Sequence, residues 1–226
     1  MTNAKKQTNP PQISHRNQPV VVPKRRNRGI NKVVYNQKDK QKGHLIISDV
    51  GYNWDQWRLP ITHVVIHHTS SSPTISAGEL NVLGLRLYIH QYLTDHDVIN
   101  QPLYSGHYWY GKEKTKDNMV FVSYHYLIRP SGKVIQLVDD SAFLWHAGNL
   151  EVNRKSVGIA LAGRFLDKKP TFEALSAVAG LIKKLKIDKN NVFGHKEVVK
   201  KELVGETVCP GNLFLKNWKG KLLDLL

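Results

Sequence analysis

Residues 62–67, Thr-His-Val-Val-Ile-His, constrain the fold more than any other stretch. A short, apolar, β-branched run that ends in polar residues has the pattern of a buried strand. The Ser70-Ser71-Ser72-Pro73 segment then breaks it. Residues 156–162 (Ser-Val-Gly-Ile-Ala-Leu-Ala) read as a central strand, and Val192-Phe193 as a shorter one leading to Gly194-His195. Residues 79–93 carry Leu80, Leu83, Leu85, Leu87 and Ile89 at helical spacing, with Gly84 as a weak point. A second helix starts at Pro170-Thr171 with Thr171 as N-cap. Leu175, Val178, Ile182 and Leu185 form its apolar stripe, and Lys183, Lys184 and Lys186 lie near its C-terminus, where the helix dipole favours cations. Residues 121–128 and 133–138 read as a hairpin turning at Pro130-Ser131-Gly132, and residues 45–48 as a further short strand. Strands alternating with helices predict an α/β domain over residues 44–226, with a central mixed β-sheet flanked by helices.

A chain of 226 residues, 41% hydrophobic, suffices for one such domain and a tail. Residues 1–43 are that tail. They are rich in Asn, Gln, Lys, Arg and Pro, and their only apolar run, Val20-Val21-Val22, is flanked by prolines. This composition predicts a disordered arm. Eleven basic side chains stand against one acid, Asp39, in residues 1–44, so most of the formal net charge of +15 sits there. A basic arm seeks a polyanion: nucleic acid, a membrane surface or an anionic cell wall. No stretch approaches the roughly 20 apolar residues of a membrane span, and the polar start Met1–Pro11 is not a signal peptide. With one cysteine, Cys209, no intrachain disulfide is possible. Taken alone, a lone cysteine is as well explained as a small buried hydrophobe.

Three positions suggest chemistry. His67 and His68 sit where a strand runs out into a loop, the place where α/β folds put reactive groups. Successive strand side chains face opposite sides, so one of the pair points into a site and the other packs behind it. His195 ends a short apolar run in the same way, and Cys209 stands between Thr207-Val208 and Pro210-Gly211. Neutral imidazole and thiolate are ligands zinc prefers, and three protein ligands with one open position make a catalytic site. Residues 95–119, with Tyr104, Tyr108, Trp109 and Tyr110, read as a long functional loop.

Five segments in order carry a resemblance: Val64-Val65-Ile66-His67-His68-Thr69, Val122-Ser123-Tyr124-His125-Tyr126-Leu127-Ile128, Trp145-His146-Ala147-Gly148-Asn149, Ser156-Val157-Gly158-Ile159-Ala160-Leu161, and Gly194-His195 with Cys209-Pro210-Gly211. Over roughly residues 45–220 the chain resembles the zinc N-acetylmuramoyl-L-alanine amidases, the family that includes phage lysozyme-type amidases and peptidoglycan recognition proteins. The resemblance implies that family's fold and zinc held by His67, His195 and Cys209, with His68 left out. Non-catalytic recognition proteins of the family have lost the Cys, so its presence argues for an enzyme. Tyr124 matches a tyrosine near the catalytic water, and Thr207 a position that holds Lys or Thr. His146 matches a position lining the substrate groove, and Asn153 and Trp109 are expected to join it as substrate contacts.

Glu197 is expected either to orient His195 or to cap the following turn. His125, His63 and Trp145 are read as structural. Two departures stand out: the His195–Cys209 gap is longer than in typical relatives, so that residues such as 200–205 must loop out, and the 95–119 loop has no counterpart. The implied activity is hydrolysis of the amide between N-acetylmuramic acid and L-Ala in peptidoglycan. The arm then draws a monomeric enzyme onto anionic wall polymers, after release from the cytoplasm like a phage lysin or as a virion-carried enzyme. The alternatives are a non-catalytic peptidoglycan-binding module and a nucleic-acid-binding protein acting through the arm.

Overall fold

The computed structural model describes residues 47–94, 102–200 and 207–226, with backbone only at 91–94. The expected arm, 1–43, lies outside the described residues. The 62–67 run becomes β1 (His63–His68), paired in parallel on one side with β4 (Ser156–Leu161) and on the other with β5 (Val192–Gly194). β2 (Tyr126–Ile128) adds to β4 in parallel, and β3 (Val134–Gln136) closes the edge antiparallel to β2. The sheet order is β3-β2-β4-β1-β5. Every residue of β4, and all of β1 after His63, is buried. That is why these strands read as continuous apolar runs rather than alternating ones.

Opposite faces of the sheet meet different partners. Val64 and Ile66 join Val157, Ile159 and Leu161 under α3 (Phe172–Lys184), whose Leu175, Val178 and Ile182 are buried there. Phe214, Trp218 and Leu222, the last from α5 (Lys219–Leu223), complete this layer. Fully burying side chains such as Ile66 or Ile159 stabilises the fold by roughly 1.5–3 kcal/mol each. Thr171 caps α3 as expected, its Oγ1 accepting from Ala174 N at 3.2 Å. On the other face, Leu127 and Ala160 pack with Val120, Val122, Leu137, Leu144 and Leu80.

α1 (Ala77–Thr94) carries Leu80 on this second layer and starts in a capping box. Glu79 N donates to Ser76 Oγ at 3.0 Å, and Ser76 N donates to Glu79 Oε2 at 2.6 Å. Gly84 is no defect. A Cβ there would lie 1.8 Å from Phe121 O, so only glycine lets the helix approach this segment. Asn81 Oδ1 seals the contact by accepting from Phe121 N at 2.7 Å. Since the helix buries only a narrow face, Leu83 and Leu87 of the expected stripe are exposed.

Of the expected strand 45–48, residues 45 and 46 lie outside the described residues, and Ile47 makes a parallel bridge to Leu103. The hairpin keeps its turn, but its paired strands are three residues each instead of 121–128 and 133–138. The parallel β2–β4 ladder begins only at Tyr126 because the His125 side chain takes the preceding N–H of β4. His125 N donates to Gly158 O at 2.9 Å, and its Nδ1 accepts from Gly158 N at 3.0 Å. Its Nε2 then donates to Ala142 O at 2.9 Å, so His125 is structural, as read.

The polypeptide ahead of β1 is tied down from below. After a 3₁₀ turn (Trp54–Trp57), the Arg58 guanidinium donates to the carbonyls of Asn153 (2.8 Å), Ser156 (2.8 Å) and Asp140 (2.7 Å). Asp55 Oδ1 accepts from His107 Nε2 at 2.9 Å and from Phe143 N at 2.7 Å. His107 anchors the described part of the 95–119 loop, whose residues 102–119 are largely irregular. Among the described residues no helix is long and apolar enough to cross a membrane.

Candidate metal centre

The C-terminal ends of β1 and β5 lie side by side, and each delivers one histidine. Side chains alternate along β1, so His67 falls on the face of Val65, away from α3, while His68 faces the α3 side and accepts from Phe165 N through Nδ1 at 3.1 Å. β5 ends at Gly194, and His195 begins the short helix α4 (His195–Val198). The His67 and His195 rings lie 4.8 Å apart, and the Tyr124 ring stands 4.9 Å from His67.

Cys209 closes the site from a third segment. Lys196 N donates to Cys209 O at 2.9 Å, and His68 N donates to Cys209 Sγ at 3.4 Å, so both histidine loops grip it. The flanks of the long His195–Cys209 gap therefore meet; residues 201–206 lie outside the described residues. Cys209 Sγ stands 3.7 Å from His67 Nδ1. One donor atom each from His67, His195 and Cys209 lies within 4.8 Å of the others. Two imidazole nitrogens and a thiol so close together form a group that could hold one metal ion between them.

Electrostatics suit this. Burial drives His67 well below the ordinary histidine range, helped by His195 and His146. Burial takes His195 down to about 4 and His146 down to about 3. All three are neutral near pH 7, the form that binds metal. Burial pushes the Cys209 thiol up to about 12, against the pull of His68 N–H and Lys196. The thiol thus keeps its proton until a cation replaces it. Burial, with Cys209 beside it, also raises the Tyr124 phenol, which stays a hydrogen-bond donor.

The model of the N-acetylmuramoyl-L-alanine amidase family matches residues 57–212, more than half of the chain. The chain belongs to that family. Among solved structures it is similar to the N-acetylmuramoyl-L-alanine amidase LysC from Clostridium intestinale URNW, at 22% identity and TM-score 0.47, covering 76% of this chain and 94% of that one. It is also similar to the Ph2119 endolysin from Thermus scotoductus MAT2119 bacteriophage Ph2119, at 21% identity and TM-score 0.45, covering 84% and 94%. Drosophila peptidoglycan recognition protein SD follows at 24% identity and TM-score 0.41, covering 68% and 77%. A search of curated proteins returned no significant match.

In this amidase-family chain several expected site residues sit elsewhere than sequence placed them. Asn153, expected at the substrate, is fully buried at the end of α2 (Leu150–Asn153). Its Oδ1 accepts from His146 N at 3.2 Å and Ala147 N at 2.9 Å, so it shapes the His146 backbone. His146, expected to line the groove, is 7% exposed and lies behind His67, with Nδ1 3.1 Å from His67 Nε2. Of the two readings of Glu197, the structure favours the cap: its Oε2 accepts from Gly194 N at 2.7 Å, and both its oxygens bind Lys219 Nζ at 2.8 and 3.0 Å. It steadies the backbone that carries His195.

Thr207 Oγ1 accepts from Cys209 N at 3.1 Å, which fixes the turn carrying the thiol. Trp109 is half-buried against the layer that also holds Tyr124. Trp145, read as packing, does pack by its edges, 5.4 Å from Trp54 and 5.0 Å from Phe143, yet stays 42% exposed. Ser156, which no motif singled out for a role, stands 3.2 Å from His146 Nε2. A serine opening a buried strand carries no signal of that contact; only the partner's position reveals it.

Proposed function

We propose that this chain is a zinc-dependent N-acetylmuramoyl-L-alanine amidase that cleaves the amide between the lactyl group of N-acetylmuramic acid and the L-Ala of the stem peptide. The convergence of His67, His195 and Cys209 from three separate loops, in a chain of this family, carries the reading. Two neutral imidazoles and one thiol are a donor set that fits zinc. When bound, zinc acts as a Lewis acid on the amide carbonyl and acidifies water.

The protein's own groups do the rest. Tyr124, kept protonated by burial, orients the attacking water or donates to the developing oxyanion, and is the first candidate to pass a proton to the leaving amine. The Thr207 oxygen is occupied by Cys209 N, which leaves its hydroxyl hydrogen to support the oxyanion. Trp109, half-buried beside that layer, is a wall for the substrate. The basic arm attracts anionic wall polymers by a force that weakens with salt. The enzyme acts as a monomer at the cell wall after release, or is carried in a virion.

Bound zinc and muropeptide cleavage, measured together on wild type and Cys209→Ala, test this. The expected wild type holds about one zinc and frees stem peptides with an L-Ala amino terminus, and the variant loses both. A wild type that holds no zinc and leaves the amide intact overturns the reading in favour of a peptidoglycan-binding module. If deleting residues 1–43 removes a nucleic-acid affinity while the core still cleaves, the arm has a partner of its own.

A further inference from the structure

We propose that His146 is a positioning residue for the metal centre: it accepts the Nε2 proton of His67 and so commits the Nδ1 lone pair of His67 to the ion. The proposal rests on the zinc reading above and assigns His146 a place behind the ligand instead of in the substrate groove. His67 offers two nitrogens, and the structure gives each a different neighbour. Nδ1 faces Cys209 Sγ at 3.7 Å, and Nε2 faces His146 Nδ1 at 3.1 Å. An imidazole that binds metal through Nδ1 carries its proton on Nε2, and that proton needs an acceptor in a buried place.

His146 Nδ1 accepts it only if the His146 proton is on Nε2. There Ser156 Oγ stands 3.2 Å away to receive it. Of the two proton arrangements that satisfy the line, one leaves the Nδ1 lone pair of His67 free: His67 Nε2–H to His146 Nδ1, then His146 Nε2–H to Ser156 Oγ. The reverse arrangement would put a proton on His67 Nδ1, facing the other two ligands.

The surroundings hold this line rigid. All three residues are buried, at 1%, 7% and 0% exposure for His67, His146 and Ser156. A Cβ on Gly158 would lie 3.0 Å from the His146 ring, so the strand is bare where the ring rests on it. Asn153 Oδ1 fixes the His146 backbone from the other side. Ser156 opens β4 and His67 nears the end of its neighbour β1, so the line spans two adjacent strands.

The test uses the full-length protein, zinc alone as the probe, and ¹⁵N-histidine NMR. In zinc-loaded wild type, His67 is expected to show a protonated Nε2 with a coupling across the hydrogen bond to His146 Nδ1. His146→Phe keeps a ring of similar size and removes the acceptor. It is expected to weaken zinc 10- to 100-fold in a chelator competition. Ser156→Ala, a milder change, is expected to weaken zinc several-fold, and it serves where the Phe variant does not fold. A loaded wild type in which the His67 proton is on Nδ1 overturns the proposal. So do folded variants whose zinc affinity stays within twofold of wild type. A wild type that binds no zinc brings down the metal centre itself, an outcome distinct from a loaded wild type with indifferent variants.

Discussion

Cys209 Sγ and His67 Nδ1 face each other at 3.7 Å although 142 residues separate them in the chain. No local signal places them together; the parallel sheet brings the ends of β1 and β5 side by side, and the N–H groups of Lys196 and His68 then hold Cys209 against them. If this pair shares an ion, the third position needs a negative ligand of short reach. Cys209→Asp is expected to keep weakened zinc binding, and Cys209→Ser to lose most of it, because a hydroxyl resists deprotonation. Chelator competition on the two variants checks this. Equal affinities would remove Cys209 from the ligand set.

Tyr124→Phe separates chemistry from metal binding. Loss of one oxyanion donor costs roughly 10²–10³ in rate. A fall of that size in kcat on purified muropeptides, with zinc content unchanged, is the expected result. Full activity would end the proposed role of the phenol.

Acid should destabilise the zinc-free protein in a defined window. Unfolded histidines protonate near 6.5, whereas the folded His195 and His146 hold out to about 4 and about 3. Between those values the unfolded chain binds more protons than the folded one. Stability is therefore complete above about pH 6.5 and falls as pH drops toward 3–4. Urea titrations across this range are expected to show midpoints falling with pH. Zinc should counter the loss at pH 6 and less so at pH 5, since protons displace it.

Asn153→Ala distinguishes a structural residue from a substrate contact. It strands the buried N–H groups of His146 and Ala147, a loss of about 2–4 kcal/mol in unfolding free energy. A variant with wild-type stability and a raised KM would restore Asn153 to the groove.

Gly84→Ala tests the seat of α1. A methyl group cannot coexist with Phe121 O at 1.8 Å, so the helix must lift. Overpacking of this kind costs about 1–3 kcal/mol or more. A thermal melt no lower than that of wild type would mean that the helix sits further from residue 121.

The sequence carried the inner strands because they depend on short, local patterns, whereas His67, His195 and Cys209 were named through the family resemblance and only the fold brings them within 4.8 Å of one another. β1 is apolar because it is covered on two sides, and that cover extends over His67 and His68 at its end, 1% and 6% exposed. The reach of β2 was not legible, since it turns on the imidazole of His125 taking the N–H of Gly158. Gly84 looked like a flaw because propensity counts the helix alone, whereas its value lies in what it touches. The place of His146 was implied by the resemblance and not by any local pattern, and only the tertiary structure shows His146 set against His67 and Asn153 buried, holding the backbone of His146 and Ala147.

Arg58 reaches further than its hydrogen bonds. Its guanidinium, lowered by burial but only to about 10, is a permanent cation at neutral pH. After burial itself it is the strongest influence holding His146 and His125 in their uncharged forms. A charged His146 could not accept the proton of His67. The tolerance of this centre to acid is therefore set partly from outside it, by a side chain whose visible work is to pin three carbonyls to the chain ahead of β1.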